Sequence, residues 1–489
     1  MSLRPHLTTA VLLGSGQQPF EPAPSGSQLD DLLTQARDPD PAQRLLNSAA
    51  LIVTYERAGA LPVAAPRPPA PATDDPRPRC SPLAAGHLRT LLADRPTLLP
   101  EWLSLADAAG LRPPEELIPA LLDAASDEPS LRDAVVKAGG SLSSWLAQFR
   151  AEWSWVASPA PDESIWQTGS LAERIAFLKQ LRATEPGRCA PLLLACWSEE
   201  QADTRRQFVE LLAANLSLGD EAFLEGVLDD RSTAVRRAAG ELLATLPGSQ
   251  LIERAKGRLT GRMRIARTGL LGRKIVVEVD PIESLDPTML RDTIEKKPPS
   301  GSGLGERAWW TMQTIGAIPP GYWCAQFEMT PVEMIEAAQE GQWTELLLQA
   351  WEVAATRHRD LPWLDAFARE MEPGAASATI LRAMPEEARE HAVLQLLHRK
   401  PAEWLMLLPD CCPHAWSTAF TEKFVALVSR CETKDPHGVL QYQLRSLLRA
   451  AARRASTQAR WPEDSDIFAD FTFVVAFRRN MRSALAPRN

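Results

Sequence analysis

The sequence predicts an all-α fold, an α-solenoid of stacked helix hairpins with a short β insertion near 273–281 and a Pro-rich linker near 61–82. Three observations predict it. Arg174, Arg205 and Arg236 stand 31 residues apart, and the residues after them align: Phe177, Phe208 and Ala239; Leu181, Leu212 and Leu243; Leu193, Leu224 and Ala255; Trp197, Leu228 and Leu259. Self-similarity at a fixed period of this size is the mark of stacked helix pairs. Elsewhere apolar residues recur mainly at helical spacing. The chain also carries 15 Trp against 13 Phe and 3 Tyr, and large indoles suit the gaps between packed helices.

Taken in order, residues 1–60 read as a strand or loop start followed by helices over Gln28–Ala36 and Pro41–Glu56, with Gly59 just past the second. Residues 61–82 contain eight prolines and read as an extended, poorly ordered linker. Residues 83–260 form a helical domain, with short helices over Leu83–Ala93, Glu101–Ala109, Glu115–Ala124 and Leu131–Ala138, punctuated by Pro96, Pro100, Gly110 and Gly139. Trp145, Trp153 and Trp155 read as core or domain seam. The repeats follow at about 170–260, where Ser170 and Glu173 fit a capping box. In the third repeat Asp230 is placed to cap a helix whose apolar face is Val235, Ala238, Ala239, Leu242 and Leu243, and Pro247 stops it.

Residues 261–305 form a basic, irregular insertion and loop, with a strand or hairpin expected at 273–281 from Ile275, Val276, Val277 and Val279. Residues 306–489 form a Trp-rich helical domain. Thr330, Pro331 and Glu333 supply a full helix start, and helices are expected over Leu346–Thr356, Trp363–Met371, Pro385–His398, Thr418–Ser429, Leu440–Ala455 and Ile467–Leu485.

At 489 residues the chain exceeds one ordinary core, so two or three packed units are expected. The net charge of −9 argues against a dedicated nucleic-acid coat or a general membrane-surface binder. None of the seven cysteines forms a CxxC pair, which points to reduced thiols in a cytoplasmic protein. The apolar stretch near the N-terminus is too short for a signal-peptide core, and no run approaches bilayer length.

No catalytic residue, cofactor site or metal site is expected. Cys411, Cys412 and His414 flank Pro413 and cannot easily converge on one ion. Gly301, Gly303 and Gly305 precede a helix but follow prolines rather than a strand, and no Gly-Lys-Ser/Thr is present. No GxSxG and no Cys/His signature is found. The outstanding local feature is positive charge. Arg254, Lys256, Arg258, Arg262, Arg264, Arg267, Arg273 and Lys274 follow one another with no Asp or Glu between them, and Arg445, Arg449 and Arg453 share one helix face. Arg254, Lys256, Arg258, Arg262, Arg264 and Arg267 are the candidate partner surface; Arg174, Arg205, Asp230 and Arg236 are the candidate inter-repeat structural residues.

The order of Asp230, Val235, Arg236, Ala239 and Leu243 resembles the second helix of a HEAT repeat. In such repeats the resemblance implies a ladder of polar contacts, through Asp and Arg, between neighbouring units. The other two units keep little beyond the arginine, and the period is shorter than the usual HEAT length. More widely, residues 145–156, 197–247 and 304–323 resemble an uncharacterised bacterial family of HEAT-like proteins. That family is typically encoded beside MoxR-type AAA ATPases and von Willebrand A-domain proteins. The resemblance implies a partner role in such a system and no known activity. The expected function is therefore a non-catalytic protein-protein interaction scaffold or adaptor. The alternative is a HEAT-like nucleic-acid binder using residues 254–274.

Overall fold

A computed structural model of the chain describes residues 4–14, 20–22, 24–59, 70–94, 96–156, 163–269, 274–369, 371–434, 439–462 and 465–486. The fold is mostly helical, with one two-stranded sheet among the described residues, and it divides into two compact units, Met1–Ala72 and Thr73–Asn489.

The first unit holds α1 (Arg4–Leu13), α2 (Gln28–Gln35) and α3 (Pro41–Gly59). Both shorter helices pack on α3 around Ala10, Phe20, Leu29, Leu33 and Ile52. The opening segment, expected as strand or loop, is a helix. A lone strand would have no ladder partner, whereas a helix pairs its own backbone and sets Leu7 and Ala10, three apart, on one face. Much of the expected linker, residues 60–69, lies outside the described residues. Its last part is tied down: Arg77 donates to the carbonyls of Lys137 and Ala138, the Cys80 N–H donates to the Arg112 carbonyl, and the Arg112 N–H donates to the Pro78 carbonyl.

The second unit opens with α4 (Pro82–Asp94), α5 (Leu99–Ala108), α6 (Ile118–Asp127) and α7 (Arg132–Ala147). The expected stop at Gly139 is a kink instead. Gly140 takes φ 53°, and a Cβ there would stand 2.7 Å from the Asp75 carboxylate, so α7 bends and continues to Ala147. Next come α8 (Glu163–Thr168), α9 (Leu171–Thr184), α10 (Cys189–Cys196), α11 (Ala202–Leu211), α12 (Glu221–Val227), α13 (Thr233–Thr245) and α14 (Gln250–Leu259). The capping box at Ser170 and Glu173 is present. The antiparallel strands β1 (Met263–Thr268) and β2 (Lys274–Val279) follow. The sequence pattern located β2; β1 lies inside the basic stretch, where charged residues on the exposed face hide the apolar alternation.

The remaining helices are α15 (Pro287–Arg291), α16 (Glu306–Ala317), α17 (Gly321–Phe327), α18 (Pro331–Gln339), α19 (Thr344–His358), α20 (Leu361–Ala368), α21 (Ala375–Ala383), α22 (Glu386–Arg399), α23 (Pro401–Cys411), α24 (Thr418–Lys434), α25 (Val439–Ala452) and α26 (Ala469–Leu485). The start signal at Thr330 is present as a capping box with Pro331 in the first turn. Helix α23 went unread because Pro409 interrupts its pattern; the proline falls near its end, where little of the ladder is lost.

Packing runs along the chain in steps. Helix α9 packs on α11, α11 on α13, α14 on α16, α16 on α19, α19 on α21, α21 on α23 and α23 on α25. In parallel α18 packs on α20, α20 on α22 and α22 on α24. One apolar core runs from Trp166 to Val475, with Trp323, Trp351, Trp363 and Trp404 wholly enclosed. A second core joins residues 80–156 to Met481 and Leu485 of α26. Arg478 of α26 is buried there, donating to Glu101 (2.6 Å) and to the carbonyls of Ala452 and Ala455.

The 31-residue period has a counterpart in contacts. The Arg174 guanidinium lies 4.6 Å from the Trp166 ring centroid and pairs with Glu200; the Arg205 guanidinium lies 5.7 Å from Trp197 and bonds Asp230 at 3.0 Å. Arg205 donates to the Glu200 backbone carbonyl, and Arg236 likewise to that of Asp230 (2.6 Å). The carboxylate step then ends, since Thr260 and Gly261 stand where the next acid would fall. Asp230 is not the cap of α13. Its carboxylate is taken by Arg205 and the Ser232 N–H, and Ser232 occupies the N-cap.

Asp230→Ala strands the buried Arg205 charge and is expected to cost about 3–5 kcal/mol in urea unfolding, against at most about 1 kcal/mol for Glu253→Ala in the exposed Lys256–Glu253 pair. Burial raises the Asp230 pKa, but the bonds from Arg205 and Ser232 outweigh it and hold the carboxyl below its ordinary 3.8. Its contribution is thus complete above that value and is lost as pH falls through the lower folded-state pKa, so Asp230→Asn should flatten this part of the acid-unfolding curve.

Candidate functional site

The basic stretch is matched by acids brought from other elements. Arg254 and Arg258, one turn apart on α14, both reach the buried carboxylate of Asp292 at 2.6 Å. Arg254 also meets Glu225 of α12 at 2.9 Å, and Arg291 bridges Glu225 and Asp229. Hydrogen bonds from Arg291 hold the Asp229 carboxyl below its usual range, and the bonds that Arg254 donates to Asp292 raise the Arg254 pKa. Lys256 pairs with Glu253 at 2.7 Å and lies 5.1 Å from the Tyr322 ring. Arg262 donates to the Pro281 carbonyl, 3.7 Å from Asp280 being its closest acid contact, and Arg264 meets Glu278 across the strands at 2.7 Å. Lys274 pairs with Glu340 of α18. Arg267 is exposed, with no carboxylate within 4.0 Å among the described residues; Arg273 lies outside them. The sign reversal seen along the chain is therefore largely cancelled in space.

Among the described residues no group of three His, Cys, Asp or Glu side chains is placed to hold a metal ion. Burial pushes the Cys411 thiol up to about 11 and Cys412 up to about 12, which keeps both protonated and poor as ligands or nucleophiles. His414 is held between Arg389 (3.1 Å) and Glu390 (3.3 Å). No helix among the described residues is long and apolar enough to cross a membrane.

Behind the basic stretch lies a cavity of about 320 Å³, walled by α13, α14, α16, α19 and the segment 292–295. That segment is rigidly held. Ile294 N–H bonds the Met289 carbonyl, Gln313 bonds both the N–H (2.8 Å) and the carbonyl of Glu295, and the Trp310 indole N–H reaches Lys296. Thr293 closes α15 in the left-handed region at φ 65°, a place that normally goes to glycine. It fits because α13 offers a glycine opposite: a Cβ on Gly240 would stand 2.3 Å from the Thr293 hydroxyl.

Arg357, in the last turn of α19, donates to the Gly316 carbonyl at the end of α16. No carboxylate lies within 4.0 Å of it among the described residues. Burial lowers its pKa, and the charge of Glu241 only partly offsets this. Neighbouring His358 is pushed down to about 4 by burial and is neutral at physiological pH.

The chain belongs to DUF5691, a family of unknown function. The family model matches residues 6–485, so the strands and the cavity both lie within its span. No curated protein and no solved structure matches the chain.

Of the residues singled out by sequence, only Arg258 lines the cavity; Arg174, Arg205, Asp230 and Arg236 line none of it. Sequence reading missed Arg357, Thr293 and Gly240. A glycine inside the well-formed helical pattern of α13 was the one available signal.

Gly240→Ala is expected to cost about 1–3 kcal/mol through overpacking against the stiff Thr293 side chain. In a Thr293→Gly background, where φ is unstrained and the space is open, the same change should cost well under about 1 kcal/mol. Urea midpoints of the two single variants and the double variant measure this coupling.

Proposed function

We propose that the chain is a non-catalytic scaffold or adaptor, an α-solenoid of HEAT-like hairpins that works in the cytoplasm by holding other proteins. The observation that carries this reading is the stepwise packing from α9 to α25, in which successive helices meet the helix two or three elements further on. Chains packed in this way are held together by neighbour contacts and carry much surface for their length. The repeated Arg–Trp stacking and Arg–carboxylate pairs between adjoining hairpins support it. The partner best supported by the resemblance is a MoxR-type AAA ATPase, with a von Willebrand A-domain protein as a further component.

Within the basic stretch the docking residues are Arg264 and Arg267, both exposed on β1 though three positions apart and so on opposite faces of the strand. Arg254 and Arg258 serve the fold through Asp292. Contact with nucleic-acid phosphates is less well supported, because cations already facing carboxylates gain little from a phosphate.

The purified chain and the MoxR-type ATPase of the same organism should form a complex by sedimentation velocity. The complex should weaken between low and moderate salt, and the double variant Arg264→Glu with Arg267→Glu should lower affinity at least about tenfold. Absence of a complex, or full affinity in the double variant, overturns the respective part of the reading. A salt-sensitive shift of duplex DNA without ATPase binding favours the nucleic-acid alternative.

A further inference from the structure

Arg357 is a charged group with an incomplete set of partners. A guanidinium has five N–H donors and stays charged inside proteins. Here one nitrogen reaches the Gly316 carbonyl, and the others have no partner among the described residues. Arg357 is half-buried, so its remaining donors open onto the adjoining cavity rather than being sealed in the core, and a counter-ion there would complete them. The fold supplies counter-ions freely nearby: Arg258 has Asp292 and Arg237 has Glu295, both at 2.6 Å. Glu241 belongs to the cavity wall yet stands beyond ion-pair distance, exposed to solvent. This guanidinium lines an open cavity that has an apolar part, formed by Ala244, Leu251, Ala255, Met312 and Val353, and a charged rim where Arg237 and Arg258 are already paired.

We infer that this cavity is a binding site for a carboxylate carried on a short aliphatic stem, with Arg357 as the group that holds the anion. The forked guanidinium matches a carboxylate in two parallel hydrogen bonds, and the apolar walls take the stem. The charge balance selects a monoanion. Arg237 and Arg258 are matched by Glu295 and Asp292, which leaves Arg357 with the more distant Glu241 in the same wall, so a dianionic phosphate would carry more uncompensated charge than a single carboxylate. The volume of about 320 Å³ is at the lower end for ligand pockets and suits one acidic side chain or one small organic acid. The walls need no rearrangement to receive it, because segment 292–295 is already fixed by Gln313 and by the Gly240–Thr293 contact. Such an anion has two sources, an acidic side chain of a protein partner or a free small acid. The site is separate from the surface of β1 and stands whether or not the scaffold reading holds.

The test uses the full chain and three probes in isothermal titration: glutarate, a nine-residue peptide with a single glutamate among leucines and serines, and inorganic phosphate. At least one carboxylate probe should bind at about 10 mM or below, and phosphate should not. Arg357→Gln, which keeps a donor for the Gly316 carbonyl, should lower carboxylate affinity at least about tenfold, with partial recovery in Arg357→Lys. Glu241→Gln, an exposed change that leaves the fold intact, should raise affinity by removing a like charge. Tighter binding of the peptide assigns the site to a partner's side chain, and tighter binding of glutarate assigns it to a free acid. Failure of both carboxylate probes, equal binding of phosphate, or unchanged affinity in both Arg357→Gln and Glu241→Gln overturns the inference.

Discussion

Every helix ends with carbonyl groups that have no partner inside the helix, and a chain of many short helices buries many such ends. In this protein buried arginines take them. Arg182 donates to the carbonyls of Pro186, Leu212, Ala214 and Asn215 while pairing with Asp220. Arg389 takes the carbonyls of Leu381, Arg382 and Met384 at the end of α21, and Arg478 takes those of Ala452 and Ala455 at the end of α25. One planar group with five donors satisfies several carbonyls at once, which a lysine ammonium cannot do in the same plane. For Arg182 and Arg478 a carboxylate from a further element, Asp220 and Glu101, neutralises the charge, whereas Arg389 meets the His414 ring instead.

This arrangement explains why charge read along the chain misleads. Residues 254–274 look like a positive patch because their acids are far away in sequence, on α12, β2, α18 and the turn after α15. Folding brings Glu225, Asp292, Glu278 and Glu340 to them. Arg357 caps a helix end as the others do and, like Arg389, has no carboxylate within 4.0 Å among the described residues, but it lines a cavity.

The closing helix adds a constraint of a different kind. Met481 and Leu485 complete the core of residues 80–156, while Val475, two turns earlier, belongs to the core that starts at Trp166. Helix α26 therefore seals two apolar cores at once, and Arg478 pins it to Glu101 across 377 positions of sequence.

What could be read in advance was local. The capping boxes at Ser170 and Thr330, the buried face of α13 and the apolar run of β2 depend on near neighbours, so their pattern survives in one dimension. The 31-residue spacing of the arginines was also legible. Arg174 and Arg205 each have a tryptophan and a carboxylate partner, which Arg236 does not have. The pairing of Arg254 and Arg258 with Asp292, the fit of Thr293 against Gly240, the joining of residues 80–156 to α26 and the incomplete shell of Arg357 were not legible. Each depends on which distant segment arrives beside it, and that is decided when apolar faces with no local partner are forced to share one interior.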